Sequence, residues 1–208
     1  MPNILVVNSS ALGSASVSNK LTAQLADRLA AADPSASIVV RDIGAAPVPH
    51  LVPDTVGAIR GAADTDAARE TLALSDALIA ELQAADVIVI GSPMYNFGMS
   101  STLKAWFDHV ARAGVTFRYS EAGPEGLLKG KKVVVVESRA GLYSEGPAAA
   151  NDSQEPHLRT LLGFIGLTDV TFVRVEKLAF GPEAAAAALE AAAAEIDLIA
   201  DSELALAA

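Results

Sequence analysis

Three short segments hold the residues whose types and spacing could do chemistry. The first, NSSALGSASVSN (8–19), brings Ser9, Ser10, Ser14, Ser16 and Ser18 together with Gly13 just ahead of a helical spacing. Hydroxyls and the unpaired N–H groups of a helix N-terminus are what a dianionic phosphate needs, and no lysine is required. A plain strand-to-helix loop with a serine cap would use the same residues. The second, PMYNF (93–97), offers the flat faces of Tyr95 and Phe97, the soft thioether of Met94 and the two-way amide of Asn96. These would wall a planar heteroaromatic ring, or else cover the core. The third, SRAG (138–141), is small enough for backbone amides to approach a ligand closely, while a structural ion pair is the commoner fate of a residue such as Arg139.

For these segments to meet, each must leave the same end of one sheet. Five runs rich in β-branched residues supply the strands: NILVV (3–7), SIVVRD (37–42), DVIVIG (86–91), KKVVVVES (131–138) and DVTFVRV (169–175). The first, third and fourth are almost continuously apolar, as strands covered on both faces are. Leu21, Leu25 and Leu29 mark a helix between the first two; Leu72 to Leu82, Leu103 to Val110, Leu158 to Ile165 and Leu189 to Ile199 mark four more. This alternation predicts an α/β fold, a flavodoxin-like five-stranded parallel sheet in the order 2-1-3-4-5 with helices on both faces. Ligands then bind beyond the carboxyl ends of strands 1 and 3. The three segments follow strands 1, 3 and 4, so they converge there. No linker or repeat divides the chain, which reads as a single domain over 1–208. The long irregular stretches 43–65, 113–130 and 139–152 have lengths that are usually functional.

Composition narrows the chemistry. With 15 basic and 25 acidic residues the net charge of −10 opposes a phosphate backbone, so nucleic acid is not expected as a partner. There are no cysteines, which excludes thiolate catalysis, iron–sulfur clusters and disulfides. No apolar run approaches the ~20 residues of a membrane span, and the N-terminal segment has no basic stretch before its apolar run. A cytoplasmic, non-membrane protein is the expectation. His50, His109 and His157 lack metal-ligand spacing, so no metal is expected. A P-loop, a G-x-G-x-x-G turn and a G-x-S-x-G elbow are all missing.

Larger motifs point further. PMYNF ahead of LKAWFD, then ARAGVTFRYSEAGPEGLLKGKK, SRAG and LLGFIGLTDV, resemble the FMN-dependent NADH:quinone oxidoreductases known as azoreductases, from Ile4 to about Pro182. The resemblance implies a flavodoxin-like homodimer with one FMN per subunit at the interface. Ser10, Ser16, Val17 and Ser18 would bind the FMN phosphate. Met94, Tyr95, Asn96 and Phe97 would line the flavin ring, and Ser138, Arg139, Ala140 and Gly141 would close its pyrimidine side. Phe117, Tyr119 and Phe164 would wall the substrate pocket, in part from the partner subunit. No catalytic side chain is implied, because the flavin carries the chemistry: NADH or NADPH gives hydride to flavin N5, then a quinone or azo compound takes two electrons in ping-pong fashion.

Two positions depart from that family's pattern: Ala140 stands where a second glycine is frequent, and Tyr143 where a histidine is. Were Ala140 held at positive φ it would be strained; the expectation is that it is not. The competing reading from another class is a flavodoxin-like electron carrier, which needs no aromatic-lined pocket.

Overall fold

The computed structural model describes residues 2–33 and 35–207. Met1, Pro34 and Ala208, which the expected domain span 1–208 includes, lie outside the described residues. The chain alternates strands and helices: β1 (Asn3–Asn8), α1 (Val17–Ala32), β2 (Ser37–Asp42), α2 (Asp66–Ala84), β3 (Val87–Pro93) and α3 (Ser101–Val110) come first. Then follow β4 (Phe117–Ser120), β5 (Gly123–Gly126), β6 (Lys132–Ser138), α4 (Glu155–Ile165), β7 (Asp169–Val175) and α5 (Pro182–Ala207). Five strands form a parallel sheet ordered β2-β1-β3-β6-β7. The expected order 2-1-3-4-5 is therefore the same kind of sheet, with two strand numbers displaced. Residues 117–126 form an antiparallel β4–β5 hairpin outside the sheet. Its strands are four residues each and polar, with Gly123 and Pro124 between aromatic Tyr119 and the next apolar run, so no strand periodicity announced it.

Alternation along the central strands feeds two cores. Leu5, Val7, Ile88, Ile90, Val133 and Val135 pack with Leu78, Trp106, Phe107, Leu158 and Leu162 of α2, α3 and α4. Their neighbours Ile4, Val6, Val87, Val89, Val134 and Val136 pack with Leu21, Leu25, Ala192 and Ile196 of α1 and α5. Each face thus receives every second residue, which is why these strands read as unbroken apolar runs.

Helix starts are set locally. Ser16, Thr65 and Ser100 accept hydrogen bonds from Asn19, Ala68 and Leu103 N–H, capping α1, α2 and α3. The hairpin docks on the end of α4, where Leu128 N–H donates to Ile165 O at 3.0 Å and the Phe117 ring lies 4.3 Å from that of Phe164. Gly126 makes the docking possible, since a Cβ there would lie 2.1 Å from Gly166 N. Among the described residues no helix is long and apolar enough to cross a membrane.

Candidate functional site

The carboxyl ends of β1, β3 and β6 carry the three segments, and the structure brings them together. The residue after β1, Ser9, is tied to β3 by its N–H and its hydroxyl, both donating to Gly91 O. Ser10, Ser16 and Ser18 are buried: Ser10 Oγ accepts from Leu12 N–H, and the hydroxyls of Ser16 and Ser18 lie 3.1 Å apart. These hydroxyls shape the loop from within. Val17 and Ser18 open α1, and among the described residues their N–H groups have no acceptor. Two such donors, reinforced by the helix dipole, suit an anion.

The second segment leaves β3 as a tight turn. Tyr95 N–H donates to Gly98 O at 2.8 Å and Gly98 N–H returns to Tyr95 O at 3.1 Å, while Asn96 and Phe97 both take positive φ, 47° and 74°. This is the pattern of a type I′ turn, which favours Asn then Gly. Phenylalanine at its second central position is therefore strained, by roughly 1–2 kcal/mol. Ala140, by contrast, is not among the non-glycine residues at positive φ, as expected. At this end of the sheet the positive φ values of non-glycine residues fall in the aromatic turn and at Lys177 (63°) just past β7, whose N–H donates to Gly141 O at 2.8 Å.

The strained turn aims flat surface outward. Tyr95 and Phe97 remain 37% and 48% exposed. The Tyr95 hydroxyl accepts from Ala11 N–H at 3.1 Å, bolting the second segment to the first. A cavity of about 450 Å³ lies between them, lined by Ser9, Ala11, Tyr95, Asn96, Met99 and Thr102 among others. That is a ligand-sized cleft. Tyr95 gives it an aromatic wall; with the free N–H groups that open α1 a few residues beyond Ala11, the set has the chemistry a phosphorylated flat ring needs. Phe117 is buried against Phe164, and Tyr119, 74% exposed, stacks edge-on to Phe117 at 5.5 Å. None of these three residues lines the described cleft; they meet one another where the hairpin docks on the carboxyl end of α4.

In the third segment the ion-pair reading of Arg139 is the one seen. The Arg139 guanidinium has no exposed surface and does not face the cleft. It is bound to Glu137 at 2.6 Å, Asp152 at 3.1 Å, Glu176 at 3.2 Å and, through Nε, to Gln154 Oε1 at 3.1 Å. A guanidinium on the inner side of a strand end surrounded by acids stays inside, where it holds the loop from below. Its backbone is committed too, N–H to Val175 O and O from Leu178 N–H. Ser138 O accepts from Met94 N–H at 2.9 Å, joining the third segment to the second. Ala140 is exposed. The Tyr143 ring lies over Gly141, where a Cβ would come within 2.9 Å, and meets Phe97 edge-on at 6.0 Å.

Sequence reasoning missed Glu137, Gln154 and Glu176. Glu176 accepts from Tyr143 and Ser144 N–H and from the Ser144 hydroxyl, fixing the loop beyond Gly141. For Glu137 a signal existed: an acid closing a run of four buried valines must be paired or neutral, and Arg139 two residues on shares its face. Burial pushes the Glu137 carboxyl up to about 8, against the pull of Arg139 and with the help of Glu155 and Asp152. Glu155 goes the other way: burial raises it, but hydrogen bonds from Arg174 and Arg159 overcome that and bring it to about 2. Of the histidines, His109 is buried, its Nε2 3.0 Å from Pro49 O, and burial lowers its pKa.

Two outcomes follow from this geometry. The folded state holds the Glu137 proton more tightly than the unfolded chain does, so its contribution is complete below pH 4.5 and is lost as pH rises toward 8. Urea unfolding of wild type and Glu137→Gln between pH 5 and 8 should differ by a slope of at most about 1.4 kcal/mol per pH unit, the variant holding its stability; identical slopes would show that Glu137 is ionised. Phe97→Gly should relieve the turn and raise stability by roughly 1 kcal/mol in thermal or urea unfolding. The same change should weaken FMN binding about tenfold by fluorescence titration, through loss of the ring; tighter binding would exclude Phe97 as a wall.

Comparisons with known proteins give the family. A model of the flavodoxin-like fold matches residues 2–199. An FMN-dependent NADH:quinone oxidoreductase of Hyphomonas neptunium is 55% identical over 202 residues, covering 97% of each chain. One of the same name from Agrobacterium fabrum is 50% identical, covering 97% of this chain and all of the relative. An azoreductase structure from Bacillus anthracis superposes with a TM-score of 0.87 at 28% identity, over 97% of this chain and all of that one. The chain therefore belongs to the flavodoxin-like family that includes these FMN-dependent NADH:quinone oxidoreductases.

Proposed function

We propose that this chain is an FMN-dependent NADH:quinone oxidoreductase that also reduces azo compounds. One observation carries the reading: the Tyr95 hydroxyl, accepting from Ala11 N–H, ties the loop that leads into the unpaired N–H groups of α1 to a turn whose Tyr95 and Asn96 line a ligand-sized cleft. The matching names of half-identical, full-length relatives support it. An electron carrier of the flavodoxin kind would have no use for that walled cleft.

In this reading the first turn of α1, with Val17 and Ser18 N–H, holds the FMN phosphate, and Ser10 and Ser16 keep the loop in shape around it. Met94, Tyr95, Asn96 and Phe97 seat the ring. Ser138, Ala140 and Gly141 approach its pyrimidine edge through backbone, while Arg139 supports them from inside. The chemistry FMN supplies when bound is two-electron transfer from NADH to a quinone or azo acceptor. The protein's part is to orient the ring, keep one face open to donor and acceptor in turn, and aim backbone N–H groups at the edge where negative charge develops.

The proposal extends to a homodimer. The exposed Tyr119, held on the hairpin beside Phe117 and Phe164, is flat surface of the kind that covers a neighbouring subunit's cleft. It extends also to a cytoplasmic location, favoured by the NADH donor in the relatives' names.

Initial rates at varied NADH and several fixed quinone concentrations should give parallel double-reciprocal lines, with NADPH run as the second donor. Intersecting lines would mean separate donor and acceptor sites, and a protein that takes up no FMN would end the reading. Light scattering should give the mass of two chains, and Tyr119→Ala should lower quinone turnover; a fully active monomer would remove the dimer.

A further inference from the structure

Gln154 is fully buried at the residue preceding α4, and nothing in the functional reading above gives it a role. It is not there to cap the helix: its side chain makes no cap bond, and Asp152 Oδ1 instead accepts from the N–H groups of Gln154 (2.8 Å) and Glu155 (3.2 Å). Its amide looks elsewhere. Nε2 donates to Ser92 O at 2.7 Å and to Ser92 Oγ at 3.0 Å, at the end of β3, and Oε1 accepts from Arg139 Nε at 3.1 Å. The preceding residue, Ser153, donates its N–H to Phe97 O at 2.9 Å. Segment 152–154 therefore ties the end of β3 and the aromatic turn, through Ser92 and Phe97, to the third segment, through Arg139.

The chemistry of the position calls for an amide. One edge must donate to a carbonyl while the other accepts from a guanidinium, and both demands fix the same orientation. A carboxylate would turn lone pairs on Ser92 O and add a fifth acid to Glu137, Asp152, Glu155 and Glu176 around Arg139. An apolar side chain would leave Arg139 Nε and Ser92 without their partner in a dry interior.

We infer that Gln154 is a positioning residue for the proposed reaction: through Ser92 and Arg139 it sets the separation of the Tyr95–Phe97 turn from the Ser138–Gly141 loop, and so the seat of the ring between them. This rests on the FMN-dependent reading above. Displacements well under an ångström at such a seat change reaction rates strongly, because reacting atoms must meet within a narrow range.

Gln154→Met keeps the length of the side chain and removes all three hydrogen bonds. The measurements are FMN affinity by titration, visible circular dichroism of the bound flavin, and stopped-flow flavin reduction at saturating NADH with FMN in excess. The expected result is FMN affinity weakened roughly tenfold, an altered visible dichroism, and reduction slowed about tenfold with the KM for NADH nearly unchanged. Wild-type affinity, dichroism and reduction rate overturn the inference even if the melting temperature falls, because a purely structural role gives that pattern. Should the methionine variant not fold, Ser92→Ala deletes a single Nε2 contact; roughly threefold shifts of the same kind are expected, and their absence overturns the inference as well. A wild-type protein that binds no FMN overturns the reading and the inference together. An active wild type beside an unaffected variant overturns the inference alone.

Discussion

A guanidinium with no contact to water organises the whole carboxyl end of the sheet. Arg139 draws acids from three places in the chain: Glu137 within β6, Asp152 and Glu155 at the start of α4, and Glu176 just past β7. Burying such a charge is unfavourable by several kcal/mol unless partners surround it, and deleting one partner of such a pair typically costs about 3–5 kcal/mol. The loops that carry those partners are consequently held in one arrangement. With Glu137 protonated, the positive charges of Arg139, Arg159 and Arg174 face the negative charges of Asp152, Glu155 and Glu176, so the cluster is balanced without help from solvent. The ion cluster thus fastens the loops that follow β6 and β7 to the start of α4.

The sheet and its helices were legible because their signals are local and periodic. Four central valines in β6, or leucines every fourth residue in α1, leave little choice of element. The convergence of three segments at one sheet end followed from the parallel connection rule alone. The ion pair offered for Arg139 had no partners named for a physical reason: its neighbours in sequence are small loop residues, and its partners at 152, 155 and 176 come together only after β7 is in place. Gln154 carried no signal at all, since a lone glutamine before a proline-containing helix start is unremarkable until Ser92 and Arg139 are seen on either side of it. The hairpin escaped for want of length.

The location of strain was also out of reach of spacing rules. An alanine where the resembling family often has glycine invited suspicion at residue 140, yet the positive φ values of described non-glycine residues fall at Asn96, Phe97 and Lys177. Asparagine tolerates that region, and its presence ahead of an aromatic is intelligible only once the two reciprocal Tyr95–Gly98 hydrogen bonds define the turn. Packing does the enforcing: Phe97 O is held by Ser153 and its ring by Tyr143, so the unfavourable backbone is fixed from two sides.

The β4–β5 hairpin pairs only with itself in the sheet topology and is attached mainly through the Gly126–Gly166 approach, the Leu128–Ile165 hydrogen bond and the Phe117–Phe164 contact. It is therefore a module seated on a socket. Its outer end, Tyr119 to Gly123, can diverge in length or side chain without disturbing strand register or either core. A lineage could recut this exposed tip in this way while the sheet and both cores stayed constant.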